Sequence, residues 1–530
     1  MHARLRNPEY WLYGLFVLLK LILVSDQRLA AIYAPLDDTL YARLADSLCH
    51  GLWLGPYDNQ ILAKGMMYPL FVAFAHALHV PLLTAHHATY AIACLVAVFA
   101  LRPVLTRQWL RISAFVVLLF LPGEYTATRI SRDALYDSVT LLTLAAGLAL
   151  VLRPRRPPAW VALYGLSAAA FWFTRDESLW LVPSLLLLTL AILVQARRES
   201  VVRCITVALV PWLCIAATWL TIATLNLAHY GWFAPRELLT RDFQDAYGSL
   251  MRVHETNMDV RVPVPAAVRA RLYDASPAFR ELQPFIEGDL GAAWSGLGRI
   301  STDLAPVYEF KGGWFIWVFR DAVACAGYYT NGAAARAYYR RLAAEINGAC
   351  ADGRLRAGPA YSGLAMPWKA AYLPGFVAAL SECEEVFLRM PDFPHPQYSL
   401  GEPSQLRFLA DMARESIAPL NDPQPAPWIN PLSERIRRAI ARLYAAMFGV
   451  LFLGSIVAAG AAALRGKNRL VLGLAACALL AAVAVRLALL SYIHATSFPA
   501  FMYTYTSVQY IPAVLFCILA WGWLLESRRA

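Results

Sequence analysis

Residues 10–48 read YWLYGLFVLLKLILVSDQRLAAIYAPLDDTLYARLADSL: an apolar run long enough to cross a bilayer, then two adjacent aspartates, Asp37 and Asp38. A hydrocarbon core of roughly 30 Å is crossed by about twenty apolar residues in a helix, so this stretch predicts a span followed at once by a loop. Charges at such a boundary are expensive unless they have work to do or a partner. Two neighbouring carboxylates there can supply a general base or a cation site to a reaction whose substrate is held by a lipid tail.

Further apolar runs follow in a 530-residue chain that is 59% hydrophobic, with a mean hydropathy of +0.47. The sequence predicts spans at 10–32, 85–105, 112–128, 134–152, 159–174, 178–196, 204–228, 441–464, 470–492 and 506–525. The net charge of +11 is no sign of nucleic acid, because the basic residues gather in short connections. Arg4 and Arg6, then Arg102, Arg107 and Arg111, Arg153 to Arg156, Arg197 to Arg203, Arg465 to Arg469, and Arg528 and Arg529 fall on one side. The positive-inside bias makes that side cytoplasmic, with both termini on it. The first run also has the outline of a signal peptide, with small residues at Ala30, Ala31 and Ala34, but it is long for one and reads as a retained span.

The expected fold class is therefore an all-α polytopic membrane protein, a bundle of about ten transmembrane helices with juxtamembrane helices and a mostly helical extracytoplasmic insertion. Three parts follow: 1–228, an N-terminal transmembrane catalytic module with its first external loop at 34–84; 229–440, the insertion; and 441–530, a C-terminal transmembrane module. Within the first loop, 68–80 is apolar yet too short to cross, and reads as a juxtamembrane helix. The insertion is set apart by its acidic residues and by Pro-rich breaks at 262–265, 391–396 and 418–431. The run GAAALRGKN near the eighth span fails as a phosphate loop, since its spacing is too long and Asn468 stands where Ser or Thr is needed.

Cys94, Cys204, Cys214, Cys477 and Cys517 lie in spans as small apolar side chains, whereas Cys49, Cys325, Cys350 and Cys383 face a compartment that permits a bridge without matching any disulfide framework. His76, His79, His86 and His87 are close in sequence, but no carboxylate or thiolate set completes a zinc site with them.

The candidate chemistry sits in three short stretches. Asp37, Asp38 and Tyr41 begin an interfacial helix, where Tyr41 lies one turn from both acids; a helix N-terminus alone accounts for one acid better than for two. Lys64, beside Gly65 at the membrane surface, can meet a phosphate. The turn EYTATRISRDALYD puts Arg129, Arg132, Asp133 and Tyr136 outside, against the positive-inside bias, which suggests anion binding; Asp133, four residues after Arg129, can also simply pair with it. Thr174, Arg175, Asp176 and Glu177 interrupt two spans with almost no loop and should face a hydrated cavity. Lys20, inside the first span, is left without a role.

These places resemble the GT-C superfamily of membrane glycosyltransferases, which includes protein O-mannosyltransferases and lipid A aminoarabinose transferases. Asp37-Asp38-x-x-Tyr41 is similar to the family's Asp-Glu-x-x-Tyr, Lys64-Gly65-Met66-Met67-Tyr68-Pro69 to its approach to a juxtamembrane helix, and Asp133 to its second-loop acid; TRDESLWLVP also looks like a family feature. The resemblance covers about residues 10–230, and the chain departs from the pattern at Asp38, where Glu is common, and in its large insertion.

The resemblance implies transfer of a sugar from a polyprenyl-phosphate donor to a glycan, lipid or protein acceptor, on the outer face of the plasma (inner) membrane. Asp37 would be the base, with Asp38 or Asp133 orienting the acceptor or holding a cation, and inversion at the anomeric carbon is expected. Tyr41, Lys64, Tyr68, Arg129, Arg132, Arg175 and Glu177 would contact substrate. The carboxylates permit a divalent cation without requiring one, and membrane lipid is the only other partner expected. A transporter or flippase of a lipid-linked or anionic substrate is the rival reading, since charges in spans also mark transport routes, but the halves show no repeat. A non-catalytic assembly factor is a third.

Overall fold

In hydrocarbon every backbone N–H and C=O must be satisfied within the segment, so the apolar runs fold as helices. The computed structural model describes residues 8–126, 128–153, 157–194, 200–254, 259–302, 309–365, 368–391, 398–420, 428–465 and 469–527. Among the described residues six helices are long and apolar enough to cross a membrane: Leu82–Leu101, Asp133–Leu152, Val201–Tyr230, Pro431–Leu464, Arg469–Thr496 and Tyr503–Ser527. Shorter apolar helices, Pro8–Val24, Gln108–Leu119, Pro158–Thr174 and Val182–Val194, occupy the other four predicted runs. The chain is a multi-pass, all-helical membrane protein. Asp133–Leu152 is the most enclosed of the long helices, packed between Leu82–Leu101 and Pro158–Thr174.

Two predicted spans are too long. The first helix stops at Val24 rather than at 32, because Asp26 and Gln27 find polar partners instead of lipid: Asp26 meets Arg437 at 2.6 Å, and Gln27 donates to the Tyr125 carbonyl at 2.9 Å. The chain then runs extended, with Leu29 bridged to Ile417 and Ile32 to Leu400. The third helix ends at Leu119, and Pro122–Thr126 forms a separate 3-10 turn.

The first loop carries two helices, Asp38–Cys49 and the eleven-residue Met67–Ala77. The second presents exposed Leu70 and Phe74, one turn apart, as a helix lying on a membrane surface does. Leu40, Leu44, Leu54 and Ile61 of this loop join the same apolar core as Phe243, Tyr247, Phe319 and Tyr339 of the insertion. Loop and insertion are thus held as one packed body on one end of the bundle. The later part of the insertion returns to the spans: Leu373–Arg389 puts Phe387 against Phe448 and Phe452, each at 5.2 Å, and against Tyr510 at 5.6 Å. From Pro431 a single helix runs through position 440 to Arg465.

Candidate functional site

Asp37 precedes the helix Asp38–Cys49, and the turn into that helix aims the two neighbouring carboxylates in different directions. Asp37, with its side chain 53% exposed, forms an ion pair with Lys64. Asp38 is 1% exposed and takes both arms of Arg129, Nη2 at 2.5 Å and Nε at 3.2 Å. Burial pushes the Asp37 carboxyl up, but Lys64, with Arg132 and Arg129 behind it, outweighs this and holds it at about 2. At Asp38 burial wins, aided by Asp37 and opposed by Arg129, and the carboxyl rises to about 6.

Lys64 reaches Asp37 because the chain beside it is drawn tight against Pro158–Thr174: a Cβ on Gly65 would collide with the Phe173 carbonyl oxygen. Its ammonium lies over the ring of Tyr41 at 5.6 Å and of Trp317, from the insertion, at 5.9 Å. Burial pushes its pKa down against the pull of Asp37.

Two further ion-pair chains lie on the same end of the bundle. Asp133 pairs with Arg175, which also donates to the Thr504 carbonyl at 2.7 Å and faces Glu177 at 2.7 Å; Glu177 in turn lies 3.6 Å from the fully buried Arg486. Asp176 is shared between Arg132, at 3.3 Å, and the buried Arg236 from the start of the insertion. Burial raises the Glu177 carboxyl, but Arg175, Arg486 and Arg132 overcome it and hold it at about 2. Burial lowers Arg236 to about 10, with Arg132 adding to the effect. Across the three chains six cations face five carboxylates.

The structure therefore brings Asp37, Asp38, Lys64, Arg129, Arg132, Asp133, Arg175 and Glu177 into cross-linked pairs. The expected local pairing of Arg129 with Asp133 is not made, because the helix begins only at Asp133 and Arg129 stands outside it, free to serve Asp38. Tyr41 and Tyr68 are buried ring to ring at 5.1 Å; among the described residues the Tyr41 hydroxyl has no hydrogen-bond partner, and that of Tyr68 meets His86 at 3.2 Å. Arg236, Trp317 and Arg486 were absent from the sequence reading, and Asp176 was named there in the charged cluster without a role of its own.

One hollow adjoins these pairs, and a second shares no lining residue with them. A small one under Arg129 is lined by Glu124, Ser131, Asp133, Asp137, Tyr503 and Ser507. A larger apolar groove, about 700 Å³, runs between Pro8–Val24, Gln108–Leu119, Pro431–Arg465 and Tyr510–Ser527, and its Phe120 lies just before the turn that carries Glu124. Among the described residues no group of three His, Cys, Asp or Glu side chains could hold a metal ion. His76 instead meets the Met412 carbonyl at 3.2 Å and His87 meets Gln27 at 3.3 Å, and among the described residues no cysteine is joined in a disulfide.

No protein-family profile and no curated protein matches the sequence. Among solved structures, the chain is similar to ArnT from Cupriavidus metallidurans in the apo state, at 13% identity over 98% of this chain and 78% of that one, with a TM-score of 0.33. It is similar also to ArnT from the same organism bound to undecaprenyl phosphate, at 14% identity over 91% and 77%, with a TM-score of 0.32.

Proposed function

We propose that the chain is a membrane glycosyltransferase of GT-C type, moving a sugar from a polyprenyl-phosphate donor to an envelope acceptor on the extracytoplasmic face. The observation that carries this reading is the meeting of Asp37, a half-exposed carboxylate, with Lys64, a buried ammonium, with Arg132 and Arg129 close behind them. Such a site suits a phosphorylated leaving group beside a general base. In this reading Lys64, Arg132 and Arg236 bind the phosphate, and the isoprenoid chain lies along the apolar groove. The acceptor hydroxyl or amine attacks the anomeric carbon, the carbon–oxygen bond to phosphate breaks, Asp37 takes the acceptor's proton and polyprenyl phosphate leaves, with inversion. Asp133, held by Arg175, orients the sugar or the acceptor.

The test is mass spectrometry of lipid-linked sugars and envelope glycans in cells with the gene, without it, and with Asp37→Asn. Build-up of a polyprenyl-phosphate sugar together with loss of one glycosylated product is the expected result. Unchanged total product displaced across the bilayer would mean transport and would overturn the reading.

A further inference from the structure

Lys64 cannot serve Asp37 and a phosphate fully at the same time. The arginines around it also carry ion partners: Arg129 holds Asp38, Arg175 holds Asp133 and Glu177, and Arg132 and Arg236 share Asp176 between them, which leaves these two charge to spare for a phosphate. Among the described residues the ion partner of Lys64 is Asp37 alone. The lysine side chain is 9% exposed and flanked by the rings of Tyr41 and Trp317, whereas Asp37 is half exposed. A released Asp37 would therefore be taken up by water, while a released Lys64 would stay enclosed and in need of an anion.

Resting on the transferase reading, we propose that the Lys64–Asp37 pair is an ionic lock opened by the donor: the phosphate takes Lys64, frees Asp37 to act as the base, and Trp317 is the positioning residue that keeps the ammonium within reach of both anions. Donor binding then creates the base, so that an unloaded site leaves the acceptor and water untouched. Held by Lys64 at about 2, the Asp37 carboxyl is a weak base; once released it moves toward the ordinary value of about 4 and becomes a better one. Arg129 and Arg132 also face Asp37, and Tyr505 lies within electrostatic reach, so part of the depression persists after release.

Competition for one cation predicts that removing the competitor tightens phosphate binding. In nanodiscs, the full chain with Asp37→Asn should bind farnesyl phosphate about tenfold more tightly than the unaltered chain, as expected if about nine-tenths of the sites are locked. Asp133→Asn, which removes the same charge from the same site but not from Lys64, should change binding by less than about threefold. Lys64→Gln should weaken binding and abolish the gain from Asp37→Asn in the double variant. Trp317→Leu should raise the donor KM and leave kcat within about twofold, and Trp317→Phe should restore KM. If Asp37→Asn and Asp133→Asn shift affinity alike, the lock is wrong and the transferase reading stands. If Lys64→Gln leaves farnesyl phosphate binding unchanged, the phosphate does not meet this lysine and both fall.

Discussion

The backbone N–H of Glu237 donates to the carbonyl oxygen of Leu62 at 3.0 Å, so the first turn of the insertion is tied to the chain two residues before Lys64. The Glu237 side chain is itself anchored, receiving Arg320 at 2.6 Å and the Tyr329 hydroxyl at 2.5 Å, with both ions 1% exposed. Removing one member of such a pair leaves the other charge buried and alone, at a cost of about 3–5 kcal/mol. Arg320→Met should lower the unfolding midpoint measured by thiol-reactive fluorescence and raise the donor KM, because the anchor of the Lys64 segment goes with it.

Asp37→Asn keeps the shape of the side chain and removes its basicity. Loss of a positioned general base lowers turnover by about 10²–10⁴-fold. In a reconstituted assay kcat should fall into that range on protein that remains folded by gel filtration, with a lowered melting temperature because buried Lys64 loses its ion partner; a loss under fivefold would mean that another group takes the proton.

Arg236→Gln removes a buried cation and leaves Asp176 to Arg132 alone. A charge-assisted contact to phosphate is worth about 2 kcal/mol, roughly 30-fold in affinity. Negative charge builds on the phosphate as the carbon–oxygen bond breaks, so kcat/KM for the donor should fall by about that factor or more, with part of the loss in kcat as well as in KM.

Glu177 gives the site a stability that depends on pH. Its carboxyl sits at about 2 rather than 4.5, held down by Arg175, Arg486 and Arg132 against its burial. A depressed carboxyl contributes fully above its unfolded value, and that contribution is lost as pH falls from about 4.5 through about 2; it is on the order of 3 kcal/mol. The melting temperature of the unaltered chain should fall across that window more steeply than that of Glu177→Gln, and a parallel fall in both would show that Glu177 is not the group responsible.

Gly65→Ala should be poorly tolerated, because the new methyl meets the Phe173 carbonyl oxygen and pushes the neighbouring Lys64 away from Asp37. Overpacking of this kind costs about 1–3 kcal/mol. Transfer activity should fall further than stability does, which paired activity and melting measurements on one preparation would reveal.

Where a charge stands at the end of an apolar run, the sequence alone locates it. Asp37, Arg129, Arg132, Asp133 and Arg175 are all of this kind, and hydropathy exposed them. Arg486, alone among apolar neighbours in Arg469–Thr496, carried the same signal and was readable by the same rule. Arg236 and Trp317 were not: they lie among the many polar and aromatic residues of the insertion, and only its docking on the first loop brings them to Lys64 and Asp176. Helix ends were legible only approximately. An apolar average smooths over Asp26, Gln27 and Arg28, three polar residues with partners about 100 to 400 positions away in Arg437, Tyr125 and Trp428.

The extended segment after the first helix sets an order on biosynthesis. Ala31 donates its N–H to Ser399 at 3.1 Å, and Leu29 bridges Ile417, so the strand leading to Asp37 is completed by residues some 370 to 390 positions downstream. A ribosome adding about 5–20 residues each second takes tens of seconds to make that stretch. Until then the segment leading to Asp37 lacks these partners, and the ion pairs around Asp37 and Asp38 are left unsupported while the first spans are already made.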